Sequence, residues 1–310
     1  MPGNVKKRAF LFQGVGSDIG KSLKMFNSEQ LNYFKTLCEQ ASEHLNINLV
    51  RYPENKESLG HLQQKFVEWA LTGLCDCTVF HSCVESGIVP DYICGYSLGL
   101  NNAIFCAGSI SLEDSLDILY GVVRCIFEAE KTQDISYDMG IIIGLEAETV
   151  NEIIKSSGLN ERVMIASENS EYFIVISGYQ ADVQYVLDCA AGEGALKSFK
   201  LGVSFPFHSS ILKSCSSPYF KNINDISFND CKIPIVSIYD QRILTKAEDI
   251  HKEQLRNFLE MMHWRTSMEY LEGIGVTDFW DMSATGAMKK STVLVDCNSS
   301  FKTIKTLNKL

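Results

Sequence analysis

Gly95-Tyr96-Ser97-Leu98-Gly99 is the stretch on which the reading of the fold turns. The apolar run Tyr92-Ile93-Cys94 leads into it, and a helix-like run from Leu100 to Cys106 follows. Strand, tight turn with a Ser between two glycines, then helix is the pattern of a nucleophile elbow. The turn is strained, so small residues must flank the Ser. It lifts the Ser97 hydroxyl clear of the sheet. The helix that follows points its free N–H groups and positive dipole at any oxyanion formed there.

Upstream, Ala9-Phe10-Leu11-Phe12 reads as a buried strand running into Gln13-Gly14-Val15-Gly16-Ser17-Asp18-Ile19-Gly20-Lys21-Ser22. The glycines invite a nucleotide-binding reading, and counting argues against it. A P-loop ending in Gly20-Lys21-Ser22 needs its first Gly where Val15 stands. The dinucleotide pattern starting at Gly14 needs a Gly where Ile19 stands. What remains is a Gly-rich loop at the C-terminal end of a strand, where α/β sheets bind ligands. Its backbone N–H groups suit an oxyanion.

The chain has 310 residues, 45% apolar and 21% charged, an ordinary globular composition. That length allows one large domain with an insertion, or two domains. A net charge of −10 argues against nucleic acid or an anionic membrane as the main partner. No apolar run approaches the ~18–20 residues of a membrane span. Behind the basic Met1 to Arg8 only Ala9 to Phe12 is apolar, too short for a signal peptide. The 11 Cys are an odd number without a C-x-x-C pair, and nothing near Cys75 and Cys77 completes a zinc site. They read as reduced, mostly buried thiols of a cytoplasmic protein.

Helical periodicity covers Leu23 to Leu49, Leu62 to Leu74, Thr78 to Gly87 and Leu112 to Glu130, with Pro53 breaking the chain after the first. Then the texture changes. Gly140 to Leu145, Val163 to Ser167, Phe173 to Ser177 and Ala195 to Leu201 read as strands. Ala147 to Ser157 and Ala181 to Ala191 read as helices between them. The order β-α-β-β-α-β is ferredoxin-like. Beyond it, Ile235 to Tyr239 and Thr277 to Met282 read as strands, and Lys252 to Met262 and Thr266 to Leu271 as helices. The expected fold class is therefore α/β: an α/β-hydrolase-like large domain, residues 1–133 and 202–310, with an inserted ferredoxin-like subdomain, 134–201. The Ser-, Lys- and Asn-rich C-terminal tail is expected to be loosely held.

A Ser nucleophile needs a base and a group that orients it. Of the 6 His, His44, His61 and His251 fall on or beside surface helices, His81 in an apolar run, and His263 at a helix end before Trp264. His208 alone lies in a loop, Val203-Ser204-Phe205-Pro206-Phe207-His208, where the chain rejoins the main sheet. It is the candidate base.

At this point the chain resembles the malonyl-CoA:acyl-carrier-protein transacylases and the acyltransferase domains of polyketide synthases, over about residues 8 to 290. Phe12-Gln13-Gly14-Val15-Gly16-Ser17 is similar to the family's F-P-G-Q-G-S, and the elbow with Leu100 to G-H-S-L-G-E. Cys106-Ala107-Gly108 matches C-A-G. Asn169-Ser170 with Ile174 to Gly178 is similar to N-S-P-G-Q-V-V-I-A-G, and Ser204 to His208 to S-V-P-S-H. Trp264 and Ser267-Met268-Glu269-Tyr270 are similar to W-x-x-S-V-E-Y. The resemblance implies a stand-alone ping-pong acyltransferase of polyketide or fatty-acid-like biosynthesis. Ser97 would take an acyl group from acyl-CoA or acyl-carrier thioester with His208 as base. The backbone N–H groups of Val15 and Leu98 would hold the oxyanion, and the phosphopantetheine thiol of an acyl carrier protein would receive the acyl group. No metal or redox cofactor is implied, and a monomer is the default expectation.

The departures shape the substrate. The family's loop Gln is Val15, and the His before its nucleophile is Tyr96. The Gln whose carbonyl orients the His falls on Asn257; a shorter amide or a backbone carbonyl would have to serve. Tyr96, Asn169 and Phe207 are expected at the pocket, Phe207 narrowing it near the acyl α-carbon. Malonyl-using members carry an Arg in the helix after the elbow, a bidentate partner for the substrate carboxylate. That position is Val122; Arg124 lies about 200° further around a helix. An uncharged acyl group is therefore expected. Loss of the Arg also occurs in acyl hydrolases that clear carrier proteins, which is the nearest alternative. A malonyl transacylase with a displaced Arg and a non-catalytic carrier-binding homologue are the others, although a dead scaffold needs neither Ser97 nor His208.

Overall fold

The computed structural model describes residues 6–52, 57, 59–132 and 136–309. The first part of the chain forms β1 (Lys7–Phe12), α1 (Ile19–Leu23), α2 (Ser28–Leu45), α3 (His61–Glu85), β2 (Tyr92–Gly95), α4 (Gly99–Cys106) and α5 (Leu112–Thr132). Next come β3 (Tyr137–Ile143), α6 (Ala147–Ser156), β4 (Val163–Ser170), β5 (Phe173–Tyr179), α7 (Gln180–Gly192) and β6 (Lys197–Lys200). The last part holds α8 (Ser217–Asn224), β7 (Ile235–Val236), β8 (Ile243–Leu244), α9 (Ala247–Arg256), α10 (Trp264–Gly273), β9 (Val276–Asp281), α11 (Ala287–Ser291), β10 (Ser300–Lys302) and α12 (Ile304–Leu307).

The fold is α/β with two sheets. In the larger the order is β10-β9-β1-β2-β7-β8, with every pair parallel except β7–β8. Strands buried on both faces read as unbroken apolar runs. Residues Ala9 to Phe12 are accordingly 0% exposed. The smaller sheet, β4-β5-β3-β6, is antiparallel throughout and has the ferredoxin-like connectivity. It has its own core, in which Val150 and Ile154 of α6 and Val183 and Val186 of α7 cover Ile142, Ile174 and Ile176. The expected boundary at residues 133–134 lies outside the described residues, as does Pro53.

Three expectations change. Leu62 to Leu74 and Thr78 to Gly87 are one helix, α3, because Cys75-Asp76-Cys77 contains no breaker and the Thr78 hydroxyl bonds the Leu74 carbonyl at 2.8 Å. The first helix starts only at Ser28, where Asn27 and Gln30 form a reciprocal capping box, and stops before Asn46, whose φ is 52°. The tail is not loose. β10 adds a parallel strand to β9, Lys302 Nζ lies 2.7 Å from Asp278, and Ile304 and Leu307 are buried. Alternation of polar and apolar residues over so few positions gives no periodic signal, and the burial comes from contacts distant in sequence.

Candidate active site

The elbow is built as its glycines require. A Cβ on Gly95 would lie 2.3 Å from the Leu100 Cα, and one on Gly99 would lie 2.4 Å from the Phe12 carbonyl oxygen. Neither clash can be relieved by a side-chain shift, because both partners are backbone. Between them Ser97 sits at φ 56°, a left-handed conformation that costs a non-glycine residue energy and persists at functional sites. The Gly99 N–H donates to the Tyr96 carbonyl at 2.9 Å and the Leu100 N–H to the Ser97 carbonyl at 3.0 Å, closing the turn.

His208 meets it. Ser97 Oγ lies 2.8 Å from His208 Nε2. On the other side of the ring, Nδ1 lies 3.2 Å from the Glu260 carbonyl oxygen. A carbonyl only accepts, so Nδ1 carries the proton and the Nε2 lone pair faces the Ser97 hydroxyl. The ring is 2% exposed, and burial lowers its pKa from 6.5 to about 4, opposed by the hydrogen bond that Nδ1–H donates to the Glu260 carbonyl. His208 is therefore neutral at pH 7, the form that can take a proton.

The orienting group is the Glu260 carbonyl, which corrects the assignment of Asn257. Asn257 is close, but its Nδ2 donates to the Ser97 carbonyl at 3.1 Å, while its Oδ1 accepts from Tyr239 Oη and the Phe258 N–H. It steadies the elbow, not the imidazole. The helix expected over Lys252 to Met262 ends at Arg256 for a related reason. Beyond it Phe258 turns to φ 59°, its carbonyl accepts the His208 N–H at 2.6 Å, and the Glu260 carbonyl reaches the ring. A continued helix would consume both carbonyls.

The loop after β1 lies against Ser97. The position a Cβ would take on Gly14 is 3.3 Å from Ser97 Cβ. Val15 and Leu98 line one cavity with Ser97, and neither N–H is spent on a hydrogen bond among the described residues. Gln13, buried beneath the loop, donates from Nε2 to Asp76 Oδ1 at 2.7 Å and accepts from Ser17 Oγ at 2.5 Å.

The cavity is small, about 30 Å³, and mostly apolar: Val122, Phe207, Trp69, Ile118 and Phe258 contribute to its walls. Trp69 and Phe207 meet edge to face at 5.9 Å. Val122 is buried at the cavity, whereas Arg124 is exposed and borders a separate surface hollow with His44 and Tyr120. No Lys, Arg, Asp or Glu lines the cavity among the described residues. Tyr96 and Asn169 do not line it either. They join the two sheets behind Ser97, Tyr96 Oη donating to Asn169 Oδ1 at 3.1 Å, with Trp264 edge to face on Tyr96 at 5.2 Å. Beside them the Met262 N–H donates to the Ala166 carbonyl at 2.9 Å, and Arg265 pairs with Glu168 at 3.0 Å. Sequence reasoning missed Trp69, Gln254 and the Glu260 carbonyl. Trp69 sits at helical core spacing like its neighbours, and a backbone carbonyl has no residue signature.

No protein-family model matches the chain. It is similar to the malonyl CoA-acyl carrier protein transacylase of Bacillus subtilis, 28% identical over 295 residues, 92% of this chain and 90% of that protein. It is also similar to the polyketide biosynthesis malonyl CoA-acyl carrier protein transacylase BaeC of Bacillus velezensis, 28% identical over 275 residues, 87% of this chain and 90% of that protein. Among solved structures, the transacylase from Coxiella burnetii superposes with a TM-score of 0.86 at 24% identity, covering 98% of this chain and 95% of that one. A malonyl-transacylase solved in complex with its type II polyketide acyl carrier protein gives 0.86 at 21% identity, covering 98% and 100%. These structures share the fold. The resemblance read from the motifs extends over 87–92% of the chain in the two sequence comparisons, where its sequence is similar to malonyl-CoA:acyl-carrier-protein transacylases.

Proposed function

From that similarity and the site, we propose that the chain is an acyltransferase. It moves an acyl group from a thioester through acyl-Ser97 to the phosphopantetheine thiol of an acyl carrier protein, in fatty-acid or polyketide assembly. The carrying observation is the 2.8 Å Ser97–His208 contact, with the imidazole tautomer set by Glu260 and the ring kept neutral by burial. Ser97 Oγ attacks the thioester carbonyl as Nε2 takes its proton. The Val15 and Leu98 N–H groups receive the oxyanion. Collapse expels the donor thiol, which takes the proton from the imidazolium. The carrier thiol repeats the sequence in reverse.

The acyl group is uncharged. The relatives named above act on malonyl, whose free carboxylate needs a cation. Here Val122 occupies the cavity wall and Arg124 faces elsewhere. Breaking a buried ion pair by removing one partner costs roughly 3–5 kcal/mol, enough to disfavour malonyl by two orders of magnitude or more.

Intact-protein mass spectrometry after incubation with malonyl-CoA, acetyl-CoA and a longer acyl-carrier thioester tests both statements, with Ser97→Ala as control. Adducts from uncharged donors alone, absent in Ser97→Ala, are expected. A malonyl adduct would overturn the uncharged reading. An adduct that decays in water faster than it passes to added carrier protein would make the enzyme a hydrolase.

A further inference from the structure

One residue lining the cavity beside Ser97 has a buried polar side-chain atom with no partner among the described residues. Gln254 of α9 is 1% exposed and lines the cavity with Ser97 and Val122. The Tyr219 hydroxyl donates to the backbone carbonyl of Gln254. Its one proton is thereby used, so the phenol oxygen can only accept, and Gln254 Nε2 donates to it at 3.1 Å. That fixes which end of the amide is which. Oε1 is left buried with no donor among the described residues. No neighbouring donor reaches it: Asn257 Nδ2 donates to the Ser97 carbonyl, Ser97 Oγ pairs with His208, and the N–H groups of Val15 and Leu98, which also line the cavity, bond no group among the described residues. A buried acceptor without a partner is rare, and a site that holds one favours the ligand that brings a donor over the analogue lacking it.

We propose that the acyl group carried on Ser97 is a short hydroxyacyl group whose hydroxyl donates to Gln254 Oε1. This rests on the acyl-Ser97 reading above and narrows it. The chemistry of the walls selects the donor. A carboxylate is repelled by Oε1 and finds no cation. An ammonium finds no acid, since none lines the cavity among the described residues. An amide N–H brings a second bulky polar group. A hydroxyl is uncharged and small, and the roughly 30 Å³ available matches the space of about two waters.

The test compares rates of acyl-Ser97 formation from two matched donors, 3-hydroxypropionyl-CoA and propionyl-CoA, with lactyl-CoA as a second hydroxylated donor. The wild-type enzyme is expected to react at least about tenfold faster with a hydroxylated donor than with propionyl-CoA, the range a lost hydrogen-bond partner produces. In Gln254→Leu and Gln254→Met the ratio is expected to fall to about one or below. The ratio is taken on one protein at a time, so partial unfolding of a variant cancels. A wild-type ratio of one or less overturns the proposal and would mean that water satisfies Oε1. A ratio that survives both substitutions also overturns it. Equal reaction with both donors leaves the acyltransferase reading standing, whereas no Ser97 adduct from any acyl thioester removes that reading and this one together.

Discussion

Gln13 Nε2 and Asp76 Oδ1 are 2.7 Å apart across a buried contact between the loop after β1 and the middle of α3. Asp76 is 0% exposed, its Oδ2 has no partner among the described residues, and burial pushes its pKa well up. The contact fixes the backbone just before Gly14 and Val15, so it sets where the Val15 N–H points. Asp76→Asn keeps the acceptor and is expected to leave acylation within about threefold of wild type. Asp76→Leu removes it, and loss of aim at the oxyanion should slow acylation by roughly 10–100-fold with little change in KM. Rapid-quench measurement of acyl-Ser97 formation decides. A rise in KM at constant kcat would show that the contact serves binding instead.

The buried imidazole sets the acid limb. His208 acts as a base only when neutral, and its pKa is about 4. Acylation should therefore hold level from pH 8 down to about 5 and fall tenfold per unit below about 4. Stability follows the same group. The unfolded chain binds a proton near the ordinary 6.5 and the folded one does not until about 4, so this contribution is present above 6.5 and is lost as pH falls towards 4. A pH–rate profile with a limb near 6.5 would show that the ring is not desolvated when it works.

Asn257 and His208 should separate in kinetics. His208→Ala should slow acylation by about 10²–10⁴-fold. Asn257→Ala should cost less, since its amide holds the Ser97 carbonyl and the Glu260 carbonyl remains to orient the ring. The acid limb of the Asn257→Ala profile should not move. A shifted limb would return Asn257 to the imidazole.

Val122→Arg should bring a malonyl adduct onto Ser97, at a cost in thermal stability because the new cation is buried without substrate. Mass spectrometry and a melting curve read the two effects. A destabilised variant with no malonyl adduct would place the substrate's far end away from Val122.

Removing residues 300–310 should lower stability by about 3 kcal/mol or more. Ile304 and Leu307 are 0% and 6% exposed, and burial of such side chains is worth about 1.5–3 kcal/mol each. Urea unfolding of the truncated chain provides the check. An unchanged midpoint would mean the tail contributes nothing to the main sheet.

Local geometry made the centre of the site legible. The elbow demands glycines where a side chain would strike backbone, and that demand is written as residue type within five positions. His208 could be found because it is the one His in a loop where the chain returns to the large sheet. The Glu260 carbonyl could not, since any residue supplies one. Nor could Gln13 and Asp76, whose contact joins positions 63 apart. Tyr96 and Asn169 are expected at the pocket by motif and do not line the cavity, because motif order does not say which side of Ser97 a side chain occupies. The tail was misjudged because polar composition was weighed and the two apolar residues of α12 were not.

The joints at Tyr96–Asn169, Met262–Ala166 and Arg265–Glu168 bear on how this scaffold can be recombined. The smaller sheet is not a portable cassette. Met262 stands two positions beyond the carbonyl that orients His208, and Tyr96 stands one before Ser97. A chimera that imports the ferredoxin-like unit alone would carry foreign surfaces against both. Crossover points that work would have to bring the elbow, the segment from Ala166 to Asn169 and the segment from Phe258 to Arg265 from a single parent.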